Sequence, residues 1–227
     1  MYRQPGLVSV DWIHYIILLG GVTLVACLCY AAFQTSVKIR RAKASQLADD
    51  LEMELLASDN PNTLIVAGEI NDRPSTIRFQ HERSSLDLIR NGFANHPVAE
   101  AEELLVSVEC ACAVNFKIEK SEEHESENTE RVAIALLKSH GLSLESNQKE
   151  KAASIFEEPE TVKSLIDLLD RSGARRLMVS ENKVSALIFE ASDAQRSPAR
   201  VASILESLDK FARLLEFVAD EHHSIEN

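Results

Sequence analysis

The chain has 227 residues, of which 24 are Lys or Arg and 36 are Asp or Glu, so the formal net charge is −12 at pH 7. With 45% hydrophobic residues, 7 glycines and 6 prolines, the composition excludes a collagen-like, low-complexity or fully disordered chain. The acidic excess argues against broad nucleic-acid binding, because neutralising phosphates needs a basic surface. Four cysteines are too few for a disulfide scaffold.

The first element along the chain is an apolar segment, Trp12 to Phe33, that carries no formal charge. A helix of this length covers about 33 Å at 1.5 Å per residue, which is enough to cross a hydrocarbon core about 30 Å thick. Trp12, Tyr15 and Tyr30 lie near its two ends, where aromatic rings favour the membrane interface. We therefore predict one transmembrane helix over residues 12–33, after a short flank over 1–11.

Basic residues follow the apolar segment and predict its orientation. The N-terminal flank offers only Arg3, opposed by Asp11. Because cytoplasmic flanks carry the excess of Lys and Arg, we expect the N-terminus outside and the C-terminal part in the cytoplasm, at the inner (cytoplasmic) membrane. The cations should lie against anionic headgroups, which makes the membrane an expected partner. These basic residues are Lys38, Arg40, Arg41 and Lys43.

The apolar segment allows two other interpretations. A cleaved signal peptide has a shorter apolar region and no basic flank after it. The stretch Leu24-Val25-Ala26-Cys27 resembles a bacterial lipobox, which would make Cys27 a lipidated N-terminus and reverse the location of the soluble part. The apolar run continues to Phe33, where a lipoprotein usually turns polar, so a retained anchor is favoured.

Small residues recur along one side of the predicted transmembrane helix. In lipid, such residues let helix backbones approach closely, so this stripe predicts packing against other transmembrane subunits. The alternative is that these residue types are simply tolerated in lipid. His14 lies near the membrane edge, where contact with water explains it better than a haem or pigment. The residues of the small-residue stripe are Gly20, Thr23, Cys27 and Ala31.

The next part of the chain reads as a helical stalk over residues 34–57, which Ser58-Asp59-Asn60-Pro61 would end. Two strands follow, Thr63 to Ile70 and Ser75 to His81, with turn-forming residues between them. They predict a hairpin. Residues 84–91 fit a short helix or a strand, and 95–97 predict a turn.

The most regular alternation in the chain runs from Leu104 to Glu119 and predicts one long strand. It places Cys110 and Cys112 on the apolar face. Two thiolates could hold part of a metal site, but the soluble part contains no further cysteine to complete it. Buried, unreactive thiols are therefore the favoured interpretation.

Helical patterns dominate the rest of the chain. The acidic stretch 119–130 reads as a solvated loop. Helices are predicted over 129–140, 147–156 and 158–172, and a second hairpin over 175–179 and 183–190. A final amphipathic helix begins at a Ser197 cap followed by Pro198. Its apolar face carries Val201, Leu205, Leu208, Ala212, Leu215 and Val218.

These elements predict an α+β protein, in which one N-terminal transmembrane helix precedes a soluble antiparallel sheet with packed helices. The cytoplasmic α+β domain is expected over residues 58–219, with a flexible tail over 220–227. His222 and His223 in this tail could bind metal adventitiously, although nothing beside them completes a site.

No catalytic signature is present: HExxH, GxSxG, CxxC, kinase motifs and a phosphate-binding glycine loop are all missing. The sequence therefore gives no support for an enzyme, and no cofactor or metal site is predicted. An enzyme with a non-contiguous site near the Cys110 and Cys112 strand is the third-ranked hypothesis.

The order of elements resembles a group of uncharacterised bacterial single-span membrane-anchored α+β domain proteins. The resemblance covers residues 63–218 and rests on apolar spacing, so it implies a fold and no catalytic residues. The features that carry it are the Leu64–Phe79 hairpin, Phe116-x-Ile118, Pro159-Glu160-Thr161-Val162-x-x-Leu165, the hairpin containing Arg176, Met178 and Val184, and the terminal helix.

Two functional hypotheses follow from the sequence. The first is a non-catalytic accessory or structural subunit of a larger membrane complex, with a photosynthetic or respiratory energy-converting assembly as one host. The second is a membrane-tethered cytoplasmic sensor or small-ligand-binding protein.

Overall fold

The computed structural model describes residues 9–60, 63–81, 102–120, 131–132, 135–189, 191 and 194–225. The chain divides into two compact units, Met1–Lys43 and Ala44–Asn227. The first unit holds most of helix α1, and the second holds the sheet with its helices. Residues 84–91, the predicted turn at 95–97 and the acidic stretch at 121–130 lie outside the described residues, as do the side chains of His222 and His223.

Helix α1 extends from Ser9 to Asp50. From His14 onward it is long and apolar enough to cross a membrane, with a mean hydropathy of 2.4 in its apolar window and none of that window buried. The prediction of one long apolar N-terminal helix is confirmed, and membrane insertion stays a prediction. The helix ends before residue 57, because Glu52 adopts a positive φ of 55° and the chain turns into strand β1.

Within the described residues, nine strands and four shorter helices follow α1. The strands are β1 (Glu54–Leu56), β2 (Thr63–Ile70), β3 (Arg73–His81), β4 (Glu102–Glu109), β5 (Phe116–Lys120), β6 (Arg131–Val132), β7 (Leu142–Ser146), β8 (Arg176–Ser180) and β9 (Lys183–Ile188). The helices are α2 (Ala135–Ser139), α3 (Lys149–Ile155), α4 (Pro159–Ser172) and α5 (Pro198–Ile225).

The strands form one sheet in the order β1-β2-β3-β4-β9-β8-β5-β7-β6, and every described neighbouring pair is antiparallel. The predicted α+β class is thus confirmed. Both predicted hairpins form around two-residue turns whose central residues have positive φ, a conformation that suits the twist of hairpins and that Asn and Asp tolerate. These residues are Asn71, Asp72, Glu181 and Asn182.

The single strand predicted over 104–119 is wrong. The chain leaves the sheet after Glu109 and re-enters it at Phe116. The hairpin β8–β9 occupies the space between the two halves, since β4 pairs with β9 and β5 pairs with β8. Residues 110–115, hereafter the crossover, pass over the tip of this hairpin, where the Cys110 N–H donates to the Asn182 carbonyl at 2.8 Å.

The helix predicted over 129–140 is also wrong in part. Residues 131–132 form the edge strand β6, and the helix α2 covers only Ala135–Ser139. Gly141, with a φ of 67°, then reverses the chain into β7, a strand that the sequence did not predict. Strand β7 pairs with β5 along its whole length, so tertiary pairing rather than local pattern determines its conformation.

The core lies between the sheet and helices α4 and α5. Helix α4 begins with Pro159 at its first turn and ends at Gly173, whose φ of 69° is left-handed, as predicted. The predicted apolar face of α5 is buried along its length. Ser197 precedes α5 as predicted, but its hydroxyl donates to the Ala194 carbonyl at 2.9 Å, and its carbonyl oxygen accepts from the first helical N–H groups.

The predicted stalk is partly a component of this core. Ala44, Leu47 and Ala48 are buried in the same apolar cluster as the sheet. Met53 packs against β2, where a Cβ added to Gly68 would lie 2.5 Å from its Cγ. The domain boundary therefore falls near residue 44, upstream of the boundary at 58 that the sequence suggested.

Candidate functional site

The small-residue stripe of helix α1 is exposed along its whole length: Gly20, Thr23, Cys27 and Ala31 all face outward from the described structure. A Cβ built on Gly20 meets no atom within 4 Å. At 3.6 residues per turn, the four residues lie within about a quarter of the helix circumference. The four residues therefore share one face of an exposed helix, and the packing of a second helix against that face stays a prediction.

The one hydroxyl in the small-residue stripe is already satisfied within the helix. Thr23 Oγ1 donates to the Leu19 carbonyl at 2.8 Å, and Thr35 Oγ1 donates to the Ala31 carbonyl at the same distance. In lipid an unpaired hydroxyl donor is costly, and these back-bonds remove that cost. The stripe therefore offers close packing by shape rather than a hydrogen bond that a partner must complete.

The predicted interfacial residues occupy the two ends of the apolar window. Trp12, Tyr15 and Tyr30 are exposed. Beyond the window, Lys38, Arg41 and Lys43 are exposed, whereas Arg40 is half-buried. A membrane-interface role for the aromatic rings and the cations stays a prediction.

Among the described residues of the domain, a group of connected charged side chains surrounds Arg73 at the start of β3. Its guanidinium donates to both carboxylate oxygens of Glu216, at 2.7 and 2.5 Å. Arg73 Nε lies 3.0 Å from Asp209 Oδ1, and Nη1 donates to the Glu109 carbonyl at 3.0 Å. One arginine thereby joins the β2–β3 hairpin, the end of β4 and helix α5.

Asp209 is the buried member of this group, with 4% of its side chain exposed. Asn71 Nδ2 donates to its Oδ2 at 2.8 Å, and Arg213 Nε donates to its Oδ1 at 3.1 Å. A buried carboxylate needs such charged and hydrogen-bonding partners to offset its desolvation. We call Asn71, Arg73, Asp209, Arg213 and Glu216 the Arg73 cluster.

The charges of the Arg73 cluster are mutually stabilised. The hydrogen bonds from Arg73 lower the pKa of Glu216, against the opposing effect of burial, and the Ala111 N–H lowers it further. That N–H donates to Glu216 Oε1 at 2.7 Å. The same contact with Glu216 raises the pKa of Arg73. Glu216 thus binds both Arg73 and the backbone of the crossover, and its carboxylate stays ionised at neutral pH.

Two buried thiols lie beside the Arg73 cluster in the crossover. Cys110 and Cys112 are 0% and 2% exposed, and both are free. Their side chains point to the same interior side, as the alternation predicted. Cys110 Sγ donates to the Ala212 carbonyl of α5 at 3.7 Å, and Cys112 Sγ donates to the Val114 carbonyl at 3.8 Å.

A groove of about 480 Å³ lies at the ends of β5, β7 and β8. Its walls include Lys117, Ser146 and Met178. Lys117 is engaged in ion pairs, with Glu119 at 2.9 Å and Glu145 at 3.4 Å. Across the residues that the structure describes, no group of three or more His, Cys, Asp or Glu side chains is placed to hold a metal ion.

The Arg73 cluster was not predicted from the sequence, although the sequence contains one indication of it. Asp209, Arg213 and Glu216 recur at helical spacing beside the apolar face of α5, which places their charges at the margin of the core. Their partners Asn71 and Arg73 are distant in the sequence, so local pattern could not identify the pairing.

No protein-family model matches the chain, and no curated protein matches it. One solved structure that aligns with the chain is the crystal structure of the mycobacterial trehalose monomycolate transport factor A, TtfA. It is 12% identical, with a TM-score of 0.47, and the match covers 78% of this chain and 92% of that chain. A likeness at this level carries no argument about function.

Proposed function

We propose that the chain is a non-catalytic accessory subunit of a larger membrane protein complex, anchored by helix α1 and packed against another transmembrane helix through its small-residue stripe. The observation that carries the proposal is the open face formed by Gly20, Thr23, Cys27 and Ala31 on a helix apolar enough to span a membrane. Apolar burial gives no drive for helix association in lipid, so close backbone packing must supply it.

Leucine substitutions on the stripe test this proposal. We expect Gly20→Leu combined with Cys27→Leu to abolish fixed-ratio co-migration with partner subunits after mild detergent extraction, because the larger side chains hold the helices apart. The matched control is Gly21→Leu with Cys29→Leu. It introduces the same side chains about 100° and 180° away from Gly20 around the helix and should leave co-migration intact. Equal co-migration of both double variants would refute packing through the stripe.

We further propose that the N-terminus lies outside and the domain lies in the cytoplasm. The support is the one-sided distribution of cations after the apolar window, including Lys38 and Arg41, since such flanks remain on the cytoplasmic side. Protease added to spheroplasts should leave a C-terminal tag intact, and the same protease should remove it in inverted membrane vesicles. Cleavage in spheroplasts alone would reverse the assignment and favour lipidation at Cys27.

The groove at the ends of β5, β7 and β8 favours a second candidate, a membrane-tethered sensor of a small ligand. Its volume of about 480 Å³ falls within the range of small-molecule sites. A ligand that binds the folded state raises the melting temperature. A metabolite screen on the full chain in detergent should then give a shift that Met178→Trp abolishes. Co-migration with partner subunits, together with no shift of the melting temperature in the screen, would support the accessory-subunit proposal instead.

A further inference from the structure

The two thiols of the crossover form a chemically distinct pair. Cys110 and Cys112 form a Cys-x-Cys motif, and Cys27 and Cys29 of helix α1 form another. Positions two apart in a helix point about 200° apart, so Cys27 and Cys29 face nearly opposite sides. In the crossover, alternate residues face the same side, and Cys110 and Cys112 are both buried there.

The environment of the two thiols differentiates them. Interaction with the neighbouring Cys110 thiol lowers the pKa of the Cys112 thiol, against the opposing effect of burial. The same interaction, together with burial, raises the pKa of the Cys110 thiol. The thiolate is the nucleophile in disulfide exchange. We therefore assign the attacking role to Cys112 and the resolving role to Cys110, and the single variants described below test this assignment.

The backbone between the two cysteines can adjust to a bond between them. A disulfide needs a Cα separation of about 4.4–6.8 Å, and alternate residues of an extended chain lie about 6.6 Å apart. The ladder pairing of β4 stops at Glu109, and that of β5 starts at Phe116, so no strand register holds the crossover extended. The Cys110 and Ala111 N–H groups do bond to Asn182 and Glu216, so a reagent reaches the buried thiols only when this segment opens locally. Ala111 and Ala113 are exposed on its outer side.

We propose that Cys110 and Cys112 are a redox-active dithiol that closes to an intramolecular disulfide by exchange with a low-molecular-weight disulfide such as glutathione disulfide. The Cys112 thiolate attacks one sulfur of glutathione disulfide, which breaks its S–S bond, forms a mixed disulfide and releases one glutathione thiolate. Cys110 then loses its proton and attacks Cys112 Sγ, which releases the second glutathione. Two protein thiols are oxidised, and one glutathione disulfide is reduced to two thiols.

Disulfide formation changes a contact within the domain. The Cys110 thiol is a donor to the Ala212 carbonyl of α5, and a disulfide sulfur has no proton to donate. Oxidation therefore removes one tie between the crossover and α5, while the bond from the Ala111 N–H to Glu216 remains. A disulfide between Cys110 and Cys112 closes a very short loop, so it removes little conformational entropy from the unfolded chain. A chemical readout is therefore preferable to a melting temperature.

The test uses the full chain in detergent, first reduced and then incubated with glutathione disulfide under native conditions. Remaining thiols are alkylated in denaturant, and peptides are mapped by mass. We expect the peptide that contains Cys110 and Cys112 to be lighter by two hydrogen atoms and to take up no alkylating reagent. Cys27 and Cys29 serve as the internal control and should form no bond with each other.

Single variants separate the two roles. In Cys110→Ser, Cys112 should accumulate a stable mixed disulfide with glutathione, because the resolving thiol is absent. In Cys112→Ser, Cys110 should remain alkylatable over the same time. The proposal is overturned if both wild-type thiols stay alkylatable in the native chain, or if each carries its own glutathione. Formation of the bond only after unfolding in urea would equally overturn it.

Discussion

At the scale of single residues, Glu216 connects α5 both to the sheet and to the crossover. It accepts from the Arg73 guanidinium and from the Ala111 N–H, with 22% of its side chain exposed. Hydrogen bonds to charged groups contribute more than neutral ones. Replacing this carboxylate by an amide therefore removes its charge and one of its two acceptor oxygens, and it leaves the half-buried Arg73 without its bidentate partner.

We expect Glu216→Gln to lower the free energy of unfolding by about 1–3 kcal/mol at pH 7. The matched control, Glu206→Gln, lies on the same helix and is exposed, so it should have little effect. Because the folded pKa of Glu216 is lowered from the ordinary 4.5, its contribution is complete above pH 4.5 and is lost as the pH falls through the folded pKa. Urea unfolding at several pH values should show that the difference in the free energy of unfolding between the wild type and Glu216→Gln becomes smaller in acid.

Thr161 presents the opposite case, a buried hydroxyl in the first turn of α4. It is 0% exposed, and its Oγ1 makes no hydrogen bond within the described structure. We expect Thr161→Val, which keeps the shape, to raise the free energy of unfolding by about 1 kcal/mol, since an uncompensated desolvation is removed. Ser172→Ala is the contrast, because the Ser172 hydroxyl donates to the Leu168 carbonyl at 2.6 Å. That variant should be destabilised in the same denaturation experiment, and a destabilised Thr161→Val would contradict the expectation.

At the scale of elements, the end of α1 is part of the domain core. Leu47 is 4% exposed and belongs to the cluster that contains Val66 and Ile77. We expect Leu47→Ala to cost about 2–4 kcal/mol, as buried leucines generally do, whereas its exposed neighbour Gln46 should tolerate Ala. Urea unfolding of the two variants provides the comparison. Equal stability of the two variants would show that the Leu47 side chain contributes nothing to the folded domain.

Elements whose determinants are local were predictable from the sequence. The turn residues at 71–72 and 181–182 specify their hairpins, and Pro159 and Gly173 delimit α4, because these residues restrict or permit particular φ values. The break between Glu109 and Phe116 was not predictable. Alternation continues through the crossover, and the strands β8 and β9 that separate its ends lie more than fifty residues downstream. The burial of the end of the predicted stalk was not predictable for a similar reason. Nothing near Leu47 in the sequence indicates that this residue packs against the sheet.

At the scale of the whole molecule, two chemically different surfaces coexist on one chain. The apolar window of α1 is entirely exposed, whereas the residues after it make the chain acidic, with a net charge of −12. Stripe variants and Arg73-cluster variants lie on different units. Their effects should therefore be additive. The double variant Gly20→Leu, Glu216→Gln should lose as much co-migration as Gly20→Leu alone. Its free energy of unfolding should fall by as much as that of Glu216→Gln alone.

The insertion of the β8–β9 hairpin between β4 and β5 has a consequence for biosynthesis. A ribosome makes residues 102–120 well before residues 176–188, so the two halves of the sheet must wait for the hairpin that joins them. Helix α1 emerges first and can enter the membrane while the domain is still unfolded. Nascent chains stalled before Arg176 should thus be membrane-bound yet sensitive to protease, and protection should arise only once α5 has left the exit tunnel.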